Sequence, residues 1–206
     1  MNRLTIKAQL KRHGIACLYY MLPAENVPAV MRKGILSYNR AKSFPHRSFA
    51  DESVQRRRDH LIILGANRHI HDYVPLYFTT HTPMQYVLTQ SAGKVIDQRD
   101  LVFIEVDAVK VLSMPEVIFT DGNVASSETY IYSDLNDLSE LDWHVIREVS
   151  NCYSREYKRK KAAEVLVPDS VPADFFLRVV VFDPRVGKKL SNITICSCEV
   201  DQDLYY

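Results

Sequence analysis

The sequence predicts a single α+β domain whose strands pair in a mixed or antiparallel arrangement. Its 206 residues are 47% hydrophobic and 25% charged, a composition typical of a globular protein that buries a core of its own. Short apolar and aromatic runs alternate with irregular helical patterns, without the regular strand–helix–strand spacing of a parallel sheet. The sequence contains neither repeats nor low-complexity tracts, so one domain over residues 1–206 is expected.

The first predicted strand and helix lie near the start of the chain. After a polar, helical start, residues 15–22 form an apolar and aromatic run of strand character. Residues 24–33 follow as a short helix, and Gly34 ends it, because glycine readily takes the left-handed conformation at a helix C-terminus. Residues 37–59 are polar and rich in arginine and histidine, which predicts a long surface excursion of a kind that often carries function.

The rest of the chain alternates between strands and helices. Residues 73–79 predict a strand, and Pro75 inside it favours an edge position or a bulge, because proline cannot donate to a ladder. Residues 83–90 predict a helix that begins at Pro83. The remaining predicted segments are strands at Leu101–Val106, 117–119, Glu164–Pro168 and 175–182, a short element at 109–112, and helices at 135–149 and 153–163.

The charge and the cysteines exclude several kinds of site. With 26 basic against 25 acidic residues, the net charge of +1 provides no overall field for a polyanion, so a nucleic-acid site must be a local cluster. The cysteines form no CxxC pair, and the histidines have no zinc spacing around them. This predicts free thiols in a reducing compartment and no metal. The four cysteines are Cys17, Cys152, Cys196 and Cys198.

The chain also lacks the signals of export and membrane insertion. Its basic N-terminal segment has no long apolar stretch and no small-residue cleavage site. No segment approaches the roughly 20 apolar residues that a membrane span needs. We therefore expect a cytoplasmic protein with no membrane partner.

The most informative residue is Glu164, which stands where a lysine-rich segment gives way to an apolar strand in KRKKAAEVLVPD. Position alone favours an ordinary glutamate that faces water at a strand end. A carboxylate at such a junction can instead be aimed into a cleft, while the basic segment supplies a local positive field. Both interpretations remain open at this point.

The segment SVQRRRD, residues 53–59, has a similar ambiguity. Three consecutive arginines form either a solvated charge run or a clamp for phosphate groups, since guanidinium gives bidentate, permanently charged contacts. HDYVPLYF and HTPMQY, within residues 71–86, are aromatic segments that more often form core than a ligand platform. FTDGNVASSE, residues 119–128, needs no function as a polar turn. The usual phosphate cradles, GxGxxG and GxxxxGK[ST], are both absent from the sequence.

Taken together, these segments resemble one known family. HDYVPLYF with PMQY, then FTDGNVASS, LDW and KKAAEVLVPD occur in the same order in the DarT-like family, the toxins of toxin–antitoxin pairs that ADP-ribosylate DNA. The resemblance spans residues 18–185. It implies an ADP-ribosyltransferase fold with two packed mixed or antiparallel sheets, flanking helices, and NAD as co-substrate in a cleft between the sheets.

The resemblance also implies roles for individual residues. Glu164 is expected to be the catalytic glutamate and Arg58 the essential arginine, with Arg57 and Gln55 in the same arginine motif. The adenosine side of NAD is expected along residues 20–26. The NAD-binding residues expected from the resemblance are Tyr19, Tyr20, Leu22, Asn26, Gly34, Gln55, Arg57, Arg58, Tyr77, Met84 and Tyr86.

The acceptor side is expected to combine a basic segment with a polar loop. Family members often carry histidine at the position of Tyr20, threonine at Leu22, arginine at His81 and, in some, histidine at Asn123. The first two differences bear on NAD contacts and the last two on the acceptor base. The expected nucleic-acid-binding residues are His81, Asn123, Ser126, Ser127, Lys158, Arg159, Lys160 and Lys161.

The resulting hypothesis is a monomeric bacterial toxin, of a toxin–antitoxin or phage-defence system, that joins ADP-ribose to a base of single-stranded DNA and is opposed by an antitoxin protein. RNA is the nearest rival acceptor. A second class is a nucleic-acid-binding module that keeps the fold but has lost NAD. A metal-dependent nuclease is disfavoured, because no Asp, Glu and His cluster is evident in the sequence.

Overall fold

The computed structural model describes residues 2–48, 52–63, 67–149 and 154–206. Its helices are α1 (Arg3–Arg12), α2 (Val27–Lys33), α3 (Tyr38–Ala41), α4 (Glu52–Asp59), α5 (Pro83–Thr89), α6 (Ala108–Leu112), α7 (Trp143–Arg147), α8 (Arg155–Lys161) and α9 (Pro184–Leu190). Its strands are β1 (Leu18–Pro23), β2 (Ile35–Leu36), β3 (Ile62–Ile63), β4 (Arg68–His69), β5 (Tyr73–Tyr77), β6 (Leu101–Val106), β7 (Ile118–Thr120), β8 (Ile131–Tyr132), β9 (Glu164–Pro168), β10 (Ser170–Val171), β11 (Phe176–Val181) and β12 (Ser197–Val200).

The described strands form one eight-stranded sheet and two small ribbons. The order in the large sheet is β12-β11-β6-β1-β5-β9-β7-β8, with β2 paired to β10 and β3 to β4 outside it. Among the described strands of the large sheet, only β11 and β12 run parallel, and the other pairs are antiparallel. The α+β class and the mixed sheet are therefore confirmed.

The expected pair of packed sheets needs correction, because the two halves are hydrogen-bonded into one sheet. Their connection is narrow: β1 and β5 share a single register pair, Tyr19 with Tyr77. By contrast, β1 pairs with β6 from Leu18 to Pro23, and β5 pairs with β9 along its whole length. The sheet is thus pinched between β1 and β5, and the pinch lies where β9 begins.

Apolar clusters cover both faces of the large sheet. The main cluster packs helices α1, α2 and α6 against one face and includes Leu18, Leu22 and Val165. On the other face, Met21, Tyr77 and Phe103 belong to a second cluster, and Tyr73 and Leu166 to a third. Because successive strand residues point to opposite faces, the starts of β1 and β9 and the end of β5 present Tyr19, Glu164 and Tyr77 to the same face.

Several predicted elements match the described structure closely. Leu101–Val106 and Glu164–Pro168 are strands with the expected bounds. The helix expected at 24–33 is a 3-10 turn, Ala24–Asn26, followed by α2. Gly34 ends α2 with φ of 75°, as its C-terminal position predicts.

Other predictions were wrong in extent. Residues 135–149 form a 3-10 segment, Leu135–Glu140, and then α7, because Asp142 caps a new helix by accepting from the Val145 N–H. Strand β5 lies inside the sheet, not at an edge. Pro75 nevertheless pairs only with β9 and has no partner on β1, and a residue paired on one side tolerates the missing N–H of proline. Helix α9 and strand β12 were not predicted. Cys152 and the start of the helix expected at 153–163 lie outside the described residues.

The described ranges also bear on membrane-spanning helices and on the state of the cysteines. There, no helix combines the length and apolar character that crossing a bilayer requires. Cys17, Cys196 and Cys198 are free thiols.

Candidate active site

Glu164 is the first residue of β9 and is held on both sides by neighbouring strands. It stands in register with Tyr77 of β5. On the other side, its backbone N–H donates to the Thr120 hydroxyl at 3.1 Å, and that hydroxyl donates to the Gly122 carbonyl at 2.7 Å. The glutamate is only 1% exposed. The strand start therefore directs a carboxylate into the protein instead of into water.

The carboxylate of Glu164 is held by three donors from distant parts of the chain. Arg58 Nη2 lies 2.6 Å from Oε2, and the Tyr77 hydroxyl and the Val124 backbone N–H also donate to the carboxylate. Burial raises the pKa of Glu164, while Arg58 and the other two donors oppose that rise. The carboxylate thus sits where its protonation depends strongly on the arginine.

Arg58 reaches this position from the last turn of α4. Its side chain is 11% exposed, and its Nε atom is buried without a partner among the described residues. Arg56 and Arg57 are exposed, and Gln55 is half-buried. Of the three consecutive arginines, only Arg58 faces the carboxylate, so a charge run at the surface is the wrong description for that residue.

The loop after β7 covers Glu164 and is anchored by α8. Arg159 Nη1 pairs with Asp121 at 3.0 Å, and the Arg159 carbonyl accepts from the Asn123 N–H at 3.1 Å. A Cβ at Gly122 would lie 2.7 Å from the Arg159 guanidinium. These contacts fix the loop that brings the Val124 N–H to the carboxylate.

The basic surface expected along residues 158–161 needs correction. Arg159 is buried in the contacts just described, and Lys161 is 2% exposed. The Lys161 ammonium donates to the carbonyls of Val145, Ile146 and Glu148 at the end of α7, and burial lowers its pKa to about 8. Two of the four cations therefore stabilise the fold.

The other two cations of that segment are accessible to different degrees. Lys160 is half-buried and pairs with Asp142 at 3.2 Å and with Glu156 at 3.6 Å. Lys158 is exposed. Lys158 is thus the residue of this segment that is best placed for a phosphate.

Of the residues expected to bind NAD, Tyr77 and Met84 lie beside Glu164. Tyr77 contacts its carboxylate, and the Tyr77 hydroxyl lies 3.7 Å from Met84 Sδ. Tyr19 stands opposite Tyr77 at the pinch. Tyr86, from the same helix as Met84, packs edge-on against Tyr206 with 5.4 Å between ring centroids.

Other residues expected to bind NAD have clear structural roles. Leu22 is buried in the main core, and Tyr20 packs against that core. The Asn26 side chain brackets the Arg47 peptide group, donating to its carbonyl at 2.8 Å and accepting from its N–H at 3.1 Å. A Cβ at Gly34 would lie 2.4 Å from the Val171 carbonyl oxygen. The Leu22 side chain is committed to the core, so only its backbone is left for the expected contact with NAD.

The expected acceptor residues are divided between the interior and the loop. His81 is 6% exposed, and its Nε2 lies 3.1 Å from the Tyr205 carbonyl, so its side chain is not at a surface. Asn123 is half-buried and its Oδ1 accepts from the Ala125 N–H at 2.9 Å. Ser126 Oγ accepts from the Glu128 N–H, and Ser127 is exposed.

Two contributors to the site were missed by sequence reasoning. Thr120 acts through its hydroxyl on the backbone of Glu164, and Val124 acts through its N–H. A backbone donor leaves no side-chain signal in a sequence. Within the described ranges, no group of three or more His, Cys, Asp or Glu side chains could hold a metal ion.

The family described as "ssDNA thymidine ADP-ribosyltransferase, DarT" matches residues 19–206. A DNA ADP-ribosyl transferase–DNA ADP-ribosyl glycohydrolase fusion protein of Thermosipho africanus is 32% identical over 183 residues, covering 85% of this chain but 45% of that protein. A DNA ADP-ribosyl transferase of Thermus sp. is 26% identical over 179 residues, covering 85% of this chain and 86% of that protein. The chain thus spans less than half of the fusion protein and most of the Thermus enzyme.

Solved structures show the same similarity at the level of the fold. Thermus sp. 2.9 DarT in complex with ADP-ribosylated ssDNA superposes with a TM-score of 0.82 at 26% identity, over 94% of this chain and 97% of that chain. Thermosipho africanus DarTG in complex with ADP-ribose gives a TM-score of 0.80 at 26% identity, over 93% of this chain and 51% of that chain.

Proposed function

The chain belongs to the family described as ssDNA thymidine ADP-ribosyltransferase, DarT, and we propose that Glu164 and Arg58 form its reaction centre. As a member of this family it is a DNA ADP-ribosyltransferase that uses NAD. The observation that carries the proposal is the buried ion pair between Glu164 and Arg58, with 2.6 Å between Oε2 and Nη2. A glutamate that faces water is inconsistent with that burial, and so is a solvated side chain at Arg58.

The reaction breaks the bond between nicotinamide and the ribose anomeric carbon and forms a bond from that carbon to the thymidine base. Positive charge develops on the ribose as nicotinamide leaves. A preorganised carboxylate in a site shielded from water stabilises such charge more than water does. Glu164 supplies that carboxylate, and it accepts the proton that the base loses as the new bond forms.

Arg58 has two roles in this scheme. It favours the ionised form of Glu164, whose pKa burial would otherwise raise further. Its Nε, buried and unpartnered among the described residues, is a donor that a substrate oxygen can satisfy. Tyr77 and Met84, which contact each other beside Glu164, line the space for nicotinamide.

The acceptor strand approaches over the loop of residues 120–129. Asn123 offers an amide to the edge of an unstacked base, since an amide both donates and accepts hydrogen bonds. Exposed Lys158 and Ser127 suit contacts to the DNA backbone. Arg159 stabilises the same loop through its ion pair with Asp121 and does not bind the DNA.

Partners follow from the relatives. The Thermosipho fusion joins a DNA ADP-ribosyl transferase to a DNA ADP-ribosyl glycohydrolase, which supports a toxin opposed by an antitoxin that removes the modification. We propose that the chain acts as a monomer in the cytoplasm, where NAD and single-stranded DNA are both present.

The test is incubation with labelled NAD and three separate acceptor pools. One pool is single-stranded DNA that contains thymidine, the second is RNA, and the third is protein. Label on single-stranded DNA that disappears with the Glu164→Gln variant is expected. Label on RNA alone would favour the rival acceptor. Retained DNA binding without any transfer would favour a module that has lost NAD chemistry.

A further inference from the structure

We propose that His71 and Asp59 form a positioning pair that holds Arg58 against Glu164. This inference rests on the function proposed above, because it concerns how the arginine of that reaction centre is placed. Neither residue contacts Glu164, and neither is one of the motif residues Gln55, Arg57 and Arg58. Their role is therefore to orient another residue, not to touch the substrate.

The pair connects the end of α4, where Arg58 lies, to the turn that precedes β5. Asp59 follows Arg58 at the end of α4, and its Oδ1 lies 2.8 Å from His71 Nδ1. His71 is 4% exposed, whereas Asp59 is half-exposed. Helix α4 has only eight residues and is strongly polar, so packing alone fixes its rotation weakly. A hydrogen bond at its last turn can thus decide where Arg58 points.

His71 itself is fixed by the elements around it. It lies in the 3-10 turn Ile70–Asp72, which leads directly into β5 and so to Tyr77. The Tyr38 ring packs on the His71 ring with 4.3 Å between centroids. Asn39, the next residue of α3, donates to Asp72 Oδ1 at 2.7 Å. One turn therefore positions two of the groups that contact Glu164, namely Arg58 through Asp59 and Tyr77 through β5.

The chemistry of the ring supports a specific role for histidine here. Burial lowers the pKa of His71, so the neutral ring donates its Nδ1–H to the Asp59 carboxylate. Nε2 then lies buried without a partner among the described residues. Such a nitrogen costs stability that a phenyl ring at the same place would avoid. The bond to Asp59, not packing, accounts for the histidine.

The experiment compares His71→Phe, Asp59→Ala and Asp59→Asn in the full chain. His71→Phe keeps the ring on Tyr38 but removes the donor, whereas Asp59→Asn keeps an oxygen that can accept from Nδ1. We expect His71→Phe and Asp59→Ala to lower kcat/KM for NAD by about 10-fold to 100-fold, as misplacement of a reacting group does. Asp59→Asn should retain most activity, and His71→Phe should keep its unfolding temperature.

Coupling to Arg58 separates positioning from a general structural effect. Affinity for NAD, measured by titration, is compared for His71→Phe in the wild-type and Arg58→Ala backgrounds. If His71 acts through Arg58, the substitution should have no further effect once Arg58 is absent. The exposed neighbour His60 supplies the matched control, and His60→Phe should behave as wild type.

Three results overturn the inference: wild-type kcat/KM for His71→Phe, equal loss in Asp59→Asn and Asp59→Ala, or full additivity of His71→Phe with Arg58→Ala. Wild-type activity of Arg58→Ala would be a failure of the proposed function and not of the positioning pair alone. It would overturn the proposed reaction centre together with this inference, and it is read from a separate variant.

Discussion

Replacing Glu164 by glutamine tests the reaction centre with the smallest change in shape. Glutamine keeps one oxygen that can accept a hydrogen bond, but it removes the charge that faces Arg58 at 2.6 Å. We expect the rate of transfer to fall by about 100-fold or more, as when one electrostatic partner of a transition state is removed. NAD affinity should change much less.

The magnitude follows from the geometry of the site. Two unit charges about 4 Å apart interact by about 4 kcal/mol at an effective dielectric constant of about 20. Glu164 is 1% exposed, so a similar interaction is available to positive charge that develops on the ribose beside it. A 100-fold loss corresponds to about 2.7 kcal/mol, which is within that interaction energy.

The assay is single-turnover transfer from labelled NAD to a thymidine-containing oligonucleotide, with NAD affinity measured separately. Glu116→Gln is the matched control, because Glu116 is an exposed carboxylate that also pairs with an arginine, Arg68, at 3.4 Å. The control should retain wild-type rates. Turnover of Glu164→Gln equal to that of the control would refute the assignment of Glu164.

The pH dependence of the wild-type enzyme provides a further check on the same residue. Burial raises the pKa of Glu164, and the proposed mechanism uses its ionised form. The value of kcat/KM should therefore rise with pH through an apparent pKa above the usual value for glutamate. Weakening the Arg58 contact should move this rise to higher pH, since the arginine favours the ionised form. A rise at the ordinary glutamate pKa would contradict the buried site.

The remaining predictions concern neighbouring residues. Arg58→Ala should reduce kcat/KM for NAD far more than Arg56→Ala. Equal small effects would indicate that both arginines are ordinary solvated surface charges. Lys161→Met should lower the free energy of unfolding by about 2 kcal/mol or more, measured by chemical unfolding, because three carbonyls lose a charged donor. Lys158→Ala should leave stability unchanged and, in salt titrations, reduce the salt slope of DNA binding by about one unit. The reverse pattern would refute the argument that Lys161 is buried and Lys158 exposed. Asn123→Ala should change the tolerated bases next to the modified thymidine, read by sequencing modified sites; an unchanged profile would exclude base reading by this amide.

Much of the local structure followed from sequence patterns. The strands Leu101–Val106 and Glu164–Pro168 are apolar runs with clear ends, and Gly34 marks the end of α2. Helix α9 also has a start signal in the sequence, since Asp183 caps it and Pro184 occupies its first turn. Such features depend on neighbours in sequence, which is why residue patterns report them.

The position of the candidate catalytic glutamate was also readable from sequence, because Glu164 stands at the start of an apolar strand within an ordered set of motifs. The fold class and the family could likewise be predicted from the sequence. They depend on the order of segments and their residues, both of which the linear chain contains.

The tertiary structure alone decided how charged residues are used. Arg56, Arg57 and Arg58 are equivalent in sequence, yet only Arg58 meets a carboxylate that lies 106 residues away. Arg159 and Lys161 belong to a run that predicts a surface, but their helix turns them toward Asp121 and the end of α7. Consecutive helical residues point in different directions, and which direction is inward depends on what packs there. Long-range packing, not local pattern, therefore determines which charges are buried and functional.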